Sequence, residues 1–313
     1  MLAYSLRRVF YLLITLFFTT LLTFLLIFAS GDPAEFLIPV RPGQQPSQAL
    51  IAQVRKQYGL DQPLWVQYAR YMSNILRGNL GNSWYFHRPV SQLIIERFPN
   101  TAKLAVAIWV VSLIVGILLG ISMAMNKNSL FDRTGIVLSV ILISIPEFLI
   151  GILLIFIFVN TLGLFKNVDP TQPKTLDQFV LPVLTVALPR SVGYAISLRT
   201  TMLNAMGENY VRTARAKGLN FNHTVMKHVL PNALVPIVTM AGIDLAYLLT
   251  GVVIVETVFG IPGIGLAAVQ ATTQRDLPVV MGSVFITAVF IGSLNLVADL
   301  ITARLDPRIR LEK

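Results

Sequence analysis

Cysteine is absent from all 313 residues, which excludes disulfide frameworks, thiolate nucleophiles, thiolate metal sites and iron–sulfur clusters together. Charge is scarce as well: Asp, Glu, Lys and Arg make up 13% of the chain, where a soluble domain carries about a quarter. The three histidines, His87, His223 and His228, all fall outside the long apolar runs, so a histidine-assisted hydrolytic site at membrane depth has no residues to build it. No G-x-x-x-x-G-K-[ST] stretch occurs, and the chain has no P-loop with which to cradle ATP. What it has in excess is apolar length: 55% hydrophobic residues and a mean hydropathy of +0.69. A free cytosolic enzyme is excluded. The net charge of +10 would point to nucleic acid in a soluble protein; in a membrane protein the position of the charge matters more than its sum, and no nucleic-acid partner is expected.

A hydrocarbon core about 30 Å thick needs about 20 apolar residues in helix. Six stretches qualify: Val9–Phe28, Leu104–Met125, Thr134–Leu164, Phe179–Met206, Asn232–Val258 and Leu277–Ala298. The third is long enough for a tilted or kinked span, interrupted at Pro146-Glu147, and the fourth is broken by Pro182, Pro189 and Arg190. The expected fold class is therefore an all-α integral membrane protein with six transmembrane helices. Lys and Arg near span ends set orientation. With the N-terminus inside, the regions around Arg7-Arg8, Lys127 and Arg133, Arg199–Lys227, and Arg304–Lys313 are cytoplasmic and hold 13 of the 25 basic residues. The two short loops opposite hold Lys166, Lys174 and Arg275, and the long 30–97 segment crosses largely regardless of its charge. Both termini are then cytoplasmic. The first 29 residues exceed the apolar core of a signal peptide and read as a retained anchor. The organisation expected is a first helix over 1–29, an outer region over 30–97, a membrane core over 98–303 and a tail over 304–313.

Two segments outside the bilayer carry pattern. In the outer region, Pro46-Ser47 opens a helix with Leu50, Ile51, Val54 and Tyr58 on one face, stopped by Gly59. Asp61 is expected to cap a second helix carrying Leu64, Trp65, Tyr68, Met72 and Leu76, ended by Gly78. Two such helices suit either a packed loop domain or a docking face for a delivered ligand. The inner loop, 207–231, contains N-Y-V-R-T-A-R-A-K-G-L-N-F-N-H-T-V-M-K-H-V-L-P from Asn209. Tyr210–Lys217 holds no helix breaker, Gly218 ends it, and Leu230-Pro231 marks the start of the next span. Basic residues alone suit a loop drawn to anionic lipid. The small Thr213-Ala214 pair, the Gly218 turn and the terminal Leu230-Pro231 suit a rigid helix seated on a cytosolic protein and tied to two spans.

This loop resembles that of binding-protein-dependent ABC importer permeases, written E-A-A, three residues, G, nine residues, I, one residue, L-P. Arg212-Thr213-Ala214 take the E-A-A positions, Gly218 the glycine and Leu230-Pro231 the end, with His228 at the isoleucine. Arg212 in place of glutamate is how the dipeptide/oligopeptide/nickel branch writes it. The rest of the chain is similar to the subunit of that branch with the long outer loop. Gly31-Asp32-Pro33-Ala34, Tyr58–Pro63, Val255–Phe259, Pro262–Gly265, Arg275–Val280 and Leu305–Arg310 follow in its order. The resemblance implies a type I ABC importer permease in a prokaryotic cell membrane, paired with a second, similar permease, two cytosolic ATPases and an extracytoplasmic binding protein. It also implies a coupling helix with ATPase contacts at Tyr210, Arg212, Thr213, Ala214, Arg215, Lys217 and Gly218. No cofactor is expected on this chain, ATP and magnesium being held by the ATPase partners. Cargo would be a di- or oligopeptide, with glutathione, nickel chelates and oligosaccharides the other cargoes that the resemblance leaves open.

Ionisable residues inside spans are functional candidates. Glu147, Arg190 and Asp244 are candidates for the translocation path, Asp244 foremost, with Arg190 placed to pair with one of these carboxylates; Glu147 also suits a water-filled kink after Pro146. Glu256 and Asp299 lie near span ends and suit capping or snorkelling. Gly116, Gly120, Gly242 and Gly251 are expected to permit close helix packing. A proton-driven carrier using Glu147 and Asp244 is the alternative; it would act alone and should show inverted repeats, which are not evident.

Overall fold

The computed structural model describes residues 2–38, 47–166 and 177–305. Lys174 and the basic residues beyond Leu305 lie outside the described residues, as does the side chain of Asp299. The helices are α1 (Leu2–Ala29), α2 (Pro33–Phe36), α3 (Gln48–Tyr58), α4 (Leu64–Leu76), α5 (Val90–Met125), α6 (Leu130–Ser144), α7 (Glu147–Leu154), α8 (Asp177–Met206), α9 (Asn209–Ala216), α10 (Phe221–Thr224), α11 (Leu230–Gly251), α12 (Val253–Phe259), α13 (Ile264–Thr273) and α14 (Leu277–Leu305). Among the described residues there is no strand, only an isolated bridge between Asn82 and Pro89.

Among the described residues five helical stretches are long and apolar enough to cross a membrane, and seven if each of two bent pairs counts as one. The third expected span is one of those pairs: α6 and α7 meet at 100° across Ile145-Pro146. Pro146 has no N–H and disfavours helix at Ile145, which is extended at ψ 127°, so one helix cannot run through. The fifth expected span, Asn232–Val258, is also redrawn. Its helix begins at Phe221, passes through a π-helical turn over Val225–Val229 and ends at Gly251, with α12 separate. Leu230-Pro231 is thus no break: the π turn leads into Pro231 near the start of α11, where its missing N–H is tolerated. The second span starts earlier than its apolar run, because α5 is helical from Val90 through a polar first stretch.

The described residues fall into two compact units. In the unit formed by 1–99 and 262–313, α1 packs along α14, where Gly292 lies against Leu12 with no room for a Cβ. α4 docks on α1 through Tyr68, whose hydroxyl bonds the Phe17 carbonyl at 3.2 Å and lies 3.0 Å from Thr20 Oγ1. Ser47 caps α3 and Gly59 closes it at φ 67°. Asp61, however, does not cap α4: Pro63 occupies that position without a side-chain bond, because the helix starts at Leu64, two residues beyond the aspartate's reach. Within the same unit Asp276 is wholly buried, accepting from Ser83 Oγ and from the Trp84 and Tyr85 amides, each at 3.1 Å. That carboxylate fixes the turn before α5 onto the start of α14.

In the unit formed by 100–261, small residues bring α5 against α8. A Cβ at Gly116 would lie 2.6 Å from the Ser191 carbonyl, and one at Gly120 2.9 Å from that of Ala195. Gly242 departs from its expected packing role, since a Cβ there would meet nothing within 4 Å. Glu256 does not snorkel. It is wholly buried and receives the Thr101 hydroxyl at 2.6 Å. Asp132 and Arg199 form a second buried anchor. Arg199 Nε and Nη2 bond the two carboxylate oxygens at 2.5 and 2.7 Å, and the Asn128 amide adds a third bond at 2.9 Å. The pair ties the start of α6 to α8. The outward faces of α6 and α7 carry Val137, Leu138, Val140, Ile141, Phe148 and Leu153, all exposed, a surface made for hydrocarbon rather than water.

Candidate functional site: a tethered surface helix and a charged pair at membrane depth

The helix α9 is eight residues long and two-sided. Val211 and Ala214, three residues apart and so on one face, are buried. Tyr210, Arg212, Thr213, Arg215 and Lys217 are exposed on the other. Its end is built by Gly218 at φ 88°: the Gly218 amide bonds the Arg215 carbonyl at 3.0 Å and the Leu219 amide that of Ala214 at 3.4 Å, the double closure a left-handed glycine permits. Asn220 then caps α10 by accepting the His223 amide at 2.8 Å. Helical chain therefore resumes three residues after Gly218, with Arg215 lying over the Phe221 ring at 6.0 Å.

The buried face of α9 is not isolated. Val211 belongs to one apolar cluster with Leu198, Met202 and Tyr194 of α8, with Val225 and Val229, and with Ala233, Ile237 and Ala241 of α11. A polar bond adds to it, from Thr201 Oγ1 to the Ala233 carbonyl at 3.2 Å. The loop is thus one packed body with the two helices it joins. Leu230 is half-buried in this body and Pro231 opens the run of α11. His228 is half-buried and His223 exposed, and among the described residues no group of three potential metal ligands forms.

At the far end of the same cluster lies a charged pair. Tyr194 donates its hydroxyl to Asp244 Oδ2 at 2.6 Å, and Arg190 Nη1 stands 3.6 Å from Asp244 Oδ1. Arg190 and Tyr194 are four residues apart and share a face of α8. The side chains of Arg190 and Asp244 keep 27% and 30% of their exposure, while Tyr194 is buried. Trp109 of α5 holds α11 one turn away, bonding the Ala241 carbonyl at 2.8 Å. Sequence reasoning paired Arg190 with a carboxylate but missed Tyr194, although its i+4 spacing from Arg190 was the available signal. It also missed Asp132 and Asp276, each next to an arginine noted only for charge or motif.

Glu147 is placed elsewhere. It takes the first position of α7, where the positive end of the helix favours a carboxylate. Among the described residues no hydrogen bond or ion pair links it to Arg190 or Asp244.

Comparison with known proteins gives a consistent result. Residues 116–311 match a family model described as binding-protein-dependent transport system inner membrane component, and residues 1–105 match its N-terminal companion. The glutathione transport system permease protein GsiC of Salmonella paratyphi A is 37% identical over 311 residues, covering 99% of both chains. That of Escherichia coli K12 is 36% identical over the same length. Two solved structures share the fold at 18% identity. One is an amino acid ABC transporter crystallised with histidines, at a TM-score of 0.55 over 68% of this chain and 94% of the other. The second is the inward-facing methionine ABC transporter, at 0.54 over 69% and 97%.

Proposed function

This chain belongs to the inner-membrane components of binding-protein-dependent transport systems, and we propose that it passes peptides along a path bordered by α8 and α11, driven from below through α9. As a multi-pass permease subunit of an ABC importer it is a transport component and not an enzyme. The finer reading concerns what drives it and what it carries.

One observation supports α9 as the coupling helix: a basic, exposed face backed by a buried face that is continuous with both α8 and α11. A push on Arg212, Arg215 and Lys217 from a cytosolic ATPase is passed on through Val211, which shares one apolar cluster with Met202, Val225 and Val229. Packed side chains carry displacement between helices only where they are contiguous, and this cluster runs unbroken to Tyr194 beside the charged pair. In this reading both termini and α9 face the cytoplasm, as the distribution of Lys and Arg supports. ATP and magnesium sit on two ATPase partners, a second permease completes the path, and a binding protein delivers cargo on the opposite side. Peptide cargo is supported by the relatives, which are named for glutathione, a tripeptide.

Co-purification tests this. The tagged chain, extracted in mild detergent, is expected to bring with it a second membrane chain of similar size and a soluble chain bearing a P-loop. Recovery of the chain as a functional transporter with no nucleotide-hydrolysing companion would overturn the proposal.

A further inference from the structure

Arg190 has more donors than acceptors. Its guanidinium carries five N–H groups in a planar fork. Yet its one ion-pair contact among the described residues, Asp244 Oδ1 at 3.6 Å, is longer than the 2.7–2.9 Å of a charge-assisted hydrogen bond. Its Nε is buried with no acceptor. The carboxylate is held from its other side: Asp244 Oδ2 accepts the Tyr194 hydroxyl at 2.6 Å, which sets where Oδ1 stands. An arginine left this way inside a membrane protein is costly, and such residues face a cavity or a water-filled path rather than lipid. There is room beside it as well, since a Cβ added at Gly193, on the next turn of α8, would meet nothing within 4 Å.

Resting on the peptide-import reading, we propose that Arg190 is a carboxylate-binding site on the translocation path, its guanidinium taking the carboxylate of a passing peptide in a two-point contact. Asp244 is the resident counter-ion, loose enough to be displaced and near enough to neutralise the arginine between cargoes. Tyr194 keeps it loose by holding Oδ2 and so keeping Oδ1 at a distance from Arg190. A permanent contact with another subunit would supply its own acceptor and need no such counter-ion. The arginine side chain is long and flexible and keeps 27% of its exposure, so turning Nε–H outward requires only rotamer changes.

The test uses the complete reconstituted importer, with its binding protein saturated, and three probes: trialanine, its C-terminal amide, and an amidated tripeptide with a central glutamate side chain. The readout is the ratio of uptake between acid and amide, compared between wild type and variants. The binding protein is the same throughout, so its own preference cancels. Arg190→Gln is expected to lower the acid-to-amide ratio by about tenfold, the size of one charge-assisted hydrogen bond. Tyr194→Phe, which frees Asp244 to close on Arg190, is expected to lower it in the same direction. Wild-type preference for the glutamate-bearing amide over the plain amide assigns the site to any carboxylate; equal uptake of the two assigns it to the chain terminus. Both outcomes support the site, given the fall in ratio. A ratio unchanged in both variants overturns it, as does loss of the second permease from the Arg190→Gln complex, which would make Arg190 a subunit contact. Failure of wild type to take up any of the three peptides would instead overturn the peptide reading and this site with it.

Discussion

Reversing both charges at the end of α9, with Arg215→Glu and Lys217→Glu together, is expected to leave an assembled importer that hydrolyses ATP but no longer accumulates cargo. Both side chains are exposed, and the reversal gives up only the stacking of Arg215 on Phe221, worth about 0.5–1 kcal/mol at an exposed site, so the helix and the loop should fold nearly as before. What changes is the surface offered to the ATPase. Like charges set against each other across an interface cost several kcal/mol, so uptake per ATP hydrolysed should fall by about a hundredfold. Gly218→Val acts on the same device by another route. Its φ of 88° strains any β-branched residue by about 1–2 kcal/mol, without any steric clash, since a Cβ there meets nothing within 4 Å. It should loosen the end of α9 and give a milder loss. Paired measurement of ATP hydrolysis and uptake in proteoliposomes separates uncoupling from failed assembly. Normal uptake in the double charge reversal would remove α9 from the drive.

Asp132→Ala is expected to be the most destabilising single substitution at a polar site. Asp132 is 1% exposed and holds Arg199 by two bonds. Removing it strands a guanidinium that keeps only 17% of its exposure, and breaking a buried pair on one side costs about 3–5 kcal/mol. The Asn128 amide loses its acceptor in the same step. Replacing both partners, with Asp132→Leu and Arg199→Met, should recover much of the loss, because no charge is then left unpaired. Thermal unfolding of the detergent-solubilised protein reads the difference. Equal midpoints for Asp132→Ala and wild type would mean that the pair contributes nothing to holding α6 on α8.

The parts of this protein legible in its sequence are those fixed by local chemistry. Apolar length pointed to the long helices α1, α5, α8 and α14, though α5 is helical from Val90, well ahead of its apolar run. The stop at Gly218, the cap at Ser47 and the stop at Gly59 followed from residues whose backbone preferences act over four positions. The bend between α6 and α7 was visible as Pro146, but its 100° angle was not, because proline forbids a straight helix without setting the new direction. The helix ahead of α11 was hidden for a related reason. Pro231 reads as a boundary, whereas a π-helical turn just before it lets the helix run on from Phe221.

The polar anchors were harder still. Asp276, Asp132 and Glu256 are buried by neighbours distant in sequence, Ser83, Arg199 and Thr101, and no periodicity links an aspartate to an arginine 67 positions away. The same holds for the charged pair: charge balance alone suggested that Arg190 meets a carboxylate, but the choice of Asp244 over Glu147 required the packing of α8 on α11. Gly116 and Gly120 were recognisable as small residues four apart in a span, while Gly242 looked the same and faces open space. Small size permits close approach without requiring it.

Uptake by vesicles bearing this chain is the most direct measurement of whether it is a gate without an engine. Vesicles reconstituted with this subunit and its partner permease are expected to accumulate no peptide, with or without a proton gradient. Adding the ATPase pair, loaded binding protein and ATP should switch accumulation on. Accumulation driven by a proton gradient in vesicles that hold this chain alone would contradict the role assigned to α9 and to its partners.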